Sequence, residues 1–247
     1  MTVQQYDAIG EAFEGFKALP IMRYAEVPSV LELVGDVTGR SVLDVACGTG
    51  FYSRRFKRRG ATDVLGVDIS SGMIDAARAI EARDPLGVRY EVGNAAELEP
   101  ADRPFDIALG IQCLNYAETV EELERMCRGI HRNLVPGGAF YVFAQNPDYA
   151  FDCASLEDYG FRCEPVGEEN GVGPKVRITA LLDAGPISFV TAVPSRQTYE
   201  KSLAAAGFRD VEWVPLTISE EGLRTYGEEF WSELRAHPPL ELLRCRA

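Results

Sequence analysis

Ser41-Val-Leu-Asp-Val-Ala-Cys-Gly-Thr-Gly50 is the stretch that decides the fold class. A short apolar run, interrupted by Asp44, stops abruptly at Gly48-Thr-Gly50, which reads as a buried strand closed by a tight turn. The two glycines let a ligand approach the backbone without meeting a Cβ. The same grammar continues downstream. Residues 51–59 read as a helix with Gly60 as its C-cap, and 64–67 as a second strand ending at Asp68. An alanine-rich helix over 73–83 is capped by Ser70 or Ser71, and a third strand over 88–92 ends at Gly93-Asn94. Residues 105–111 form a fourth apolar strand. Thr119-Val-Glu-Glu122 fits a capping box, and Val120, Leu123, Cys127, Ile130 and Leu134 make one helical stripe that Pro136-Gly137-Gly138 terminates. A fifth strand covers 139–144. Apolar strands alternating with helices predict an α/β fold, a doubly wound, seven-stranded, mostly parallel sheet covered on both faces.

On either side the pattern changes. Tyr6, Ile9, Phe13 and Phe16 form a helical stripe, Pro20 and Pro28 bracket a second short piece, and 1–38 together read as an N-terminal helical lid. Between 146 and 195 no helix is expected. Three β-like runs near 161–166, 176–182 and 187–193, separated by Gly171, Gly173-Pro174 and Gly185-Pro186, read as a small antiparallel β cap over the substrate. The αβ alternation returns with a helix over 197–206, a strand over 211–214, a helix over 220–234 and a last strand over 240–245. The whole chain, 1–247, reads as one domain.

Composition narrows the function classes. Asp and Glu number 38 against 25 Lys and Arg, a net charge of −13 that repels phosphate backbones and anionic lipid. No nucleic-acid or membrane partner is therefore expected, and no run approaches the ~18 apolar residues of a membrane span. The first residues carry no basic segment followed by an apolar one, so the expected location is cytoplasmic. The six cysteines contain no C-x-x-C and the chain has two histidines, so the thiols read as reduced packing groups and no metal site is expected. The basic run 54–59 reads as a solvated face, His131 and His237 as structural residues, and Cys47 as packing.

In an open parallel sheet, ligands bind beyond the carboxyl ends of the strands. That rule brings together the turn Gly48-Thr-Gly50, Asp44 within the first strand, Asp68 where a carboxylate can accept both hydroxyls of a ribose, and Asn94 where an amide can face an adenine edge. A dinucleotide fingerprint would need a third glycine, but Gly50 is followed by Phe51, Tyr52 and Ser53. A carboxylate before the turn opposes a pyrophosphate and suits a sulfonium and an ammonium. S-adenosyl-L-methionine is the cofactor this chemistry favours.

Val42-Leu-Asp-Val-Ala-Cys-Gly-Thr-Gly50, Val67-Asp68-Ile-Ser and Asn133-Leu-Val-Pro-Gly-Gly138 resemble the ordered motifs of class I S-adenosylmethionine-dependent methyltransferases, closely over about 40–145. The resemblance implies that Ala46, Gly48 and Gly50 line the methionine moiety, that Asp68 binds the ribose, and that Ile69 and Met73 pack on the adenine. Asn94, where the family more often has Asp, and Ala95 would read the adenine edge. Ile111, Gln112 and Tyr116 would flank the reactive methyl, and Arg23 resembles a basic residue that some members place on the cofactor carboxylate. More narrowly, Tyr6-Asp-x-Ile9, Gly39-x-Ser-Val-Leu-Asp44, Ala206-Gly-Phe-x-x-Val-Glu-Trp213 and Tyr226-Gly-x-x-Phe-Trp231 resemble toxoflavin-type azapteridine N-methyltransferases of secondary metabolism. That implies methylation of a nitrogen in a planar heterocycle.

Tyr116, Phe143, Asn146, Tyr149 and Trp231 are the expected substrate contacts, with Tyr116 and Asn115 orienting the acceptor and Gln145 as a further polar group. No residue stands out as a general base, which favours a nitrogen acceptor. The alternatives are O-methylation of a phenolic or carboxylic metabolite, and a catalytically idle cofactor-binding regulator. The expected partner is a small molecule, with the chain a monomer or homodimer.

Overall fold

Ser41–Val45 (β1) pairs in parallel on both sides, with Asp63–Asp68 (β2) and with Phe105–Ile111 (β4). Arg89–Val92 (β3) lies outside β2, and Leu134–Gln145 (β5) outside β4. Leu240–Arg246 (β10) is antiparallel to β5 and to the edge strand Arg209–Val214 (β9), so the seven-stranded sheet runs β3-β2-β1-β4-β5-β10-β9. The computed structural model describes residues 15–151, 156–183 and 185–247. The expected stripe Tyr6, Ile9 and Phe13 and Cys153 lie outside the described residues. The seven-stranded, mostly parallel sheet is that of the α/β fold that the strand grammar predicts.

Alternation along the strands divides the core in two. Val42, Val64, Ile107 and Tyr141 face Phe56 of Phe51–Arg58 (α2), Ile74 of Ser71–Arg83 (α3) and Val30 of Val27–Val34 (α1). Leu43, Ala108 and Phe140 face Leu123 and Ile130 of Val120–His131 (α4) and Leu203 of Arg196–Ala206 (α5). Such two-sided burial explains why the strands carry apolar residues almost throughout. A second sheet, Phe161–Asn170 (β6), Gly173–Ala180 (β7) and Ile187–Ala192 (β8), is antiparallel and follows β5. Among the described residues no helix is long and apolar enough to cross a membrane.

Two expected boundaries move. The stripe on α4 does not extend to Leu134; the helix ends at His131, and Leu134 pairs with Phe105 as the first residue of β5, so Pro136-Gly137-Gly138 sits inside a strand. Asn133 causes the stop. Its side chain, 3% exposed, donates to Gly129 O at 2.8 Å and Glu99 O at 3.1 Å and accepts from Ala101 N at 2.8 Å. The amide thus ties the last turn to the loop before β4. The expected helix over 220–234 is two pieces, Glu220–Phe230 (α6) and Ser232–Ala236 (α7), with Gly227 at φ 81 inside the first. Elsewhere the caps follow the sequence: Ser70 accepts from Met73 N at 3.1 Å, and Thr119 from Glu122 N at 3.1 Å. Glu122 reaches back to Glu118 N, one residue short of a standard capping box.

Replacing Asn133 with Ala takes the partner from three backbone groups, a buried one at Gly129 and part-buried ones at Glu99 and Ala101. We expect Asn133→Ala to lower stability by roughly 2–3 kcal/mol, read as a reduced denaturant midpoint with unchanged slope. An unaltered midpoint would mean that the amide does not hold this junction.

Candidate active site

The strand order reverses between β1 and β4, and the chain leaves these two neighbours in opposite directions. Above their carboxyl ends lies a cavity of about 450 Å³. Its floor is the ends of the strands. Its far wall is the second sheet, which contributes Phe161, Cys163, Ile178 and Phe189, and the near side is closed by Phe16, Lys17, Ile21, Met22 and Glu26. Ala46 after β1 and Gln112 after β4 both take left-handed backbone conformations, φ 60 and φ 54, which non-glycine residues adopt only when their surroundings enforce it. Gly50 is required for two reasons. Its φ is 80, and a Cβ there would lie 2.2 Å from the Tyr90 hydroxyl.

Asp44 is 1% exposed and accepts from Ser53 Oγ at 2.6 Å. Burial outweighs that bond and raises its pKa to about 6. Asp68 secures the turn: Oδ2 accepts from Gly48 N at 2.8 Å and Oδ1 from Ser70 N at 2.9 Å. A carboxylate offers about four acceptor positions, so these contacts are compatible with a vicinal diol as well. Asn94 Oδ1 accepts from Ala96 N at 2.9 Å, which leaves its NH2 as the group with donor capacity for a ligand. Ile69, 48% exposed, and the buried Met73 form an apolar edge beside Asp68.

A second polar cluster closes the other side. Glu26 is fully buried; Oε1 accepts from Tyr52 OH at 2.6 Å and from Lys17 Nζ, while Oε2 has no partner. Lys17 Nζ also lies 4.9 Å from the Tyr52 ring centroid and 5.3 Å from that of Phe51. Burial first, then the Glu26 charge, push the Tyr52 hydroxyl well above its ordinary pKa. Burial likewise raises Cys163 to about 12 and holds Cys47 in its thiol form.

The structure brings together Asp44, Ala46, Gly48, Asp68, Ile69, Met73, Asn94, Ala95, Ile111, Gln112 and Tyr116 around one cavity. Gly50, the last residue of the turn and the N-cap of α2, is not among the lining residues. Arg23 points away and donates to Glu221 at 2.8 Å; the ammonium in the cavity is that of Lys17. Four expected substrate contacts are elsewhere. Phe143 is fully buried within the sheet core, Asn146 donates to Pro238 O at 2.8 Å, and Tyr149 packs on Phe151 at 4.8 Å. Trp231 stacks on Tyr159 at 5.6 Å and donates to Gly222 O at 3.0 Å, bracing the outer helices. Asn115 sits behind Gln112 and bonds to Thr191. Within the basic run, Arg54 departs from a solvated face: it is buried and donates to Thr49 O.

Sequence reasoning missed Lys17, Glu26, Tyr52 and the cap residues. No local pattern in the sequence singles these residues out.

Residues 42–138 match the family model of the methyltransferase domain. The chain is 32% identical over 132 residues to the ubiquinone biosynthesis O-methyltransferase of Coxiella burnetii, covering 52% of this chain and 54% of that protein. It is 37% identical over 124 residues to a dTDP-4-amino-2,3,4,6-tetradeoxy-D-glucose N,N-dimethyltransferase of Saccharopolyspora spinosa, covering 48% and 46%. The chain thus spans about half the length of the curated relatives it matches. The CcbJ methyltransferase of Streptomyces caelestis superposes with TM-score 0.68 at 19% identity over 100% of this chain and 99% of that one, a likeness of fold. The segment from β1 to the glycines of β5, with its turn and both strand-end carboxylates, is therefore the part of this chain that matches a methyltransferase domain.

Proposed function

We propose that the protein transfers the methyl group of S-adenosyl-L-methionine to a small molecule held under the second sheet. The observation that carries this reading is the meeting, in one cavity, of a polar half made from strand ends and an apolar half made from Phe16, Phe161, Ile178 and Phe189. The polar half fits the cofactor's chemistry. The orphaned Oε2 of Glu26 and the buried Asp44 suit an ammonium and a sulfonium, Lys17 suits a carboxylate, and Asp68 suits a ribose diol. When bound, the sulfonium supplies an electrophilic methyl carbon for in-line displacement.

The chain's own contribution is alignment and exclusion of water. Ile111, Gln112 and Tyr116 line the cavity, and on this reading they flank the reactive methyl, with the acceptor atom held about 3 Å from it. The aromatic wall excludes water and strengthens the electrostatic contacts within. Among the described residues of the apolar half there is no histidine or lysine, and Cys163 stays protonated at neutral pH. An acceptor nitrogen with an available lone pair needs no base there. A nitrogen of a planar heterocycle is the acceptor this reading favours. The relatives include both an O-methyltransferase and an N,N-dimethyltransferase, and O-methylation of a phenol is the second reading, with Tyr116 as its first candidate group.

Calorimetric titration with S-adenosylhomocysteine, with NAD as control, tests the cofactor. We expect micromolar binding of the first alone. Asp68→Ala should weaken it by roughly 2–4 kcal/mol, the loss of two charge-assisted bonds; undiminished affinity in a folded variant would remove Asp68 from the site. Turnover of labelled methyl donor with planar heterocycles separates an enzyme from an idle binder.

The raised pKa of Asp44 gives a second test. Folding retains this proton more strongly than the unfolded chain does, so Asp44's stabilising share is full at low pH and is lost as pH rises through about 6. A bound cation acts in the opposite sense by favouring the carboxylate. Affinity for S-adenosyl-L-methionine, which carries both the sulfonium and the ammonium, should therefore rise about tenfold per pH unit up to pH ~6 and then level off. Asp44→Asn should flatten that profile. A wild-type profile already flat from pH 5 to 7 would mean that Asp44 does not hold the cation.

A further inference from the structure

Four polar side chains run in a line from the second sheet to the end of β5: Thr191, Asn115, Gln112 and Gln145. Their order of donors and acceptors follows by elimination. Thr191 Oγ1 lies 2.9 Å from the Asn115 carbonyl oxygen and 3.3 Å from that of Ala192. Carbonyl oxygens only accept, so the hydroxyl proton is committed to one of them. The hydroxyl oxygen must then accept from the Asn115 amide 2.7 Å away, which makes the facing group Nδ2. That same Nδ2 lies 3.3 Å from Gln112, whose facing atom is therefore Oε1. Gln112 Oε1 in turn lies 2.8 Å from the Gln145 amide, whose facing group is therefore Nε2. Amide oxygens and nitrogens are otherwise hard to tell apart; here a backbone carbonyl sets the direction of the whole chain.

The consequence falls on Gln145. Its Oε1 is turned away from Gln112 and has no partner, in a side chain 2% exposed that lines the cavity. Asn115 Oδ1 is also unpartnered, but Asn115 is not among the lining residues. Gln145 Oε1 is thus a buried acceptor with a fixed sign, carried by a cavity-lining residue at the end of β5. A buried acceptor without a donor is unfavourable, and a ligand N–H or O–H relieves it.

We propose that Gln145 Oε1 is the specificity contact for the methyl acceptor and selects planar, largely apolar molecules that present an N–H or O–H on the edge facing β5. Thr191, Asn115 and Gln112 are positioning residues: they hold the Gln145 amide with its oxygen toward the ligand. The proposal rests on the methyl-transfer reading only in taking this cavity as the acceptor's site.

The test uses matched probes, indole against 1-methylindole and benzimidazole against 1-methylbenzimidazole, titrated by ligand-observed NMR into the full chain with and without saturating S-adenosylhomocysteine. In the wild type the N–H member of each pair should bind about tenfold more tightly. Gln145→Met, similar in length and without an acceptor, should bring that ratio to about one. Thr191→Val leaves Gln145 intact but frees the chain to reverse, so it should also lower the ratio, an effect that a merely structural role for Thr191 does not produce. Equal binding of both members to the wild type, no binding of either, or a ratio that survives Gln145→Met would overturn the proposal. Calorimetric binding of S-adenosylhomocysteine reports separately on the cofactor reading and on folding of the variants. Its failure in the wild type would sink that reading while leaving the probe ratio measurable.

Discussion

The reversal of strand order between β1 and β4 is the constraint on which the rest of the molecule depends. Two adjacent parallel strands whose chains leave in opposite directions open a crevice at their carboxyl ends. The backbone must turn sharply on both lips, and both turns use left-handed non-glycine residues, Ala46 and Gln112. Such conformations cost of order 1–3 kcal/mol each and persist because the sheet hydrogen bonds on either side determine them. Beneath the lips Asp44 is sealed from water by its position in the central strand. Its altered acidity is thus a result of topology rather than of any special neighbour.

The same crevice concentrates charge. The chain carries a net charge of −13, and Asp44, Asp68 and Glu26 all border one cavity in which, among the described residues, Lys17 is the one lysine. Lys17 is held by Glu26 and lies against two aromatic rings, so the carboxylates are only partly compensated. A site of this kind favours a ligand with positive charge and a small negative tail. It disfavours a pyrophosphate, and the missing third glycine after Gly50 is consistent with that preference.

What could be read from the sequence was whatever the backbone of the sheet controls. The turn after β1, Asp68 and Asn94 each lie at or within two residues of a strand's end, so finding the strand places the residue. The helix stripe ending at Leu134 misled because a period of three to four continues through Asn133, whose side chain stops the helix by bonding to segments far along the chain. Lys17, Glu26 and Tyr52 meet only once the N-terminal segment lies across α2. No spacing in the sequence encodes that meeting. Arg23, chosen by resemblance, lies in the right segment and points outward. The cap strands were legible as strands, yet which of their side chains enter the cavity depends on how that small sheet packs, and the sequence carries no period for it.

The aromatic residues near the C-terminus show why the apolar half is harder to read than the polar one. Trp231, Tyr226, Phe230 and Tyr159 pack on one another, with Tyr226 and Phe230 stacked at 4.4 Å. Tyr24 joins this cluster, and its carbonyl accepts from Ser219 N at 2.8 Å. Gly222 lies directly beneath; a Cβ there would come within 2.7 Å of Tyr24 Cβ. These rings do not touch the cavity. They fasten the N-terminal segment to α6, and that segment in turn sets Phe16 against Phe161 and Phe189, each at 6.3 Å. The apolar wall of the cavity is therefore assembled from three stretches of chain held together by a cluster outside it. Aromatic residues in such a fold are as much the frame of the pocket as its lining, and only the packing distinguishes the two.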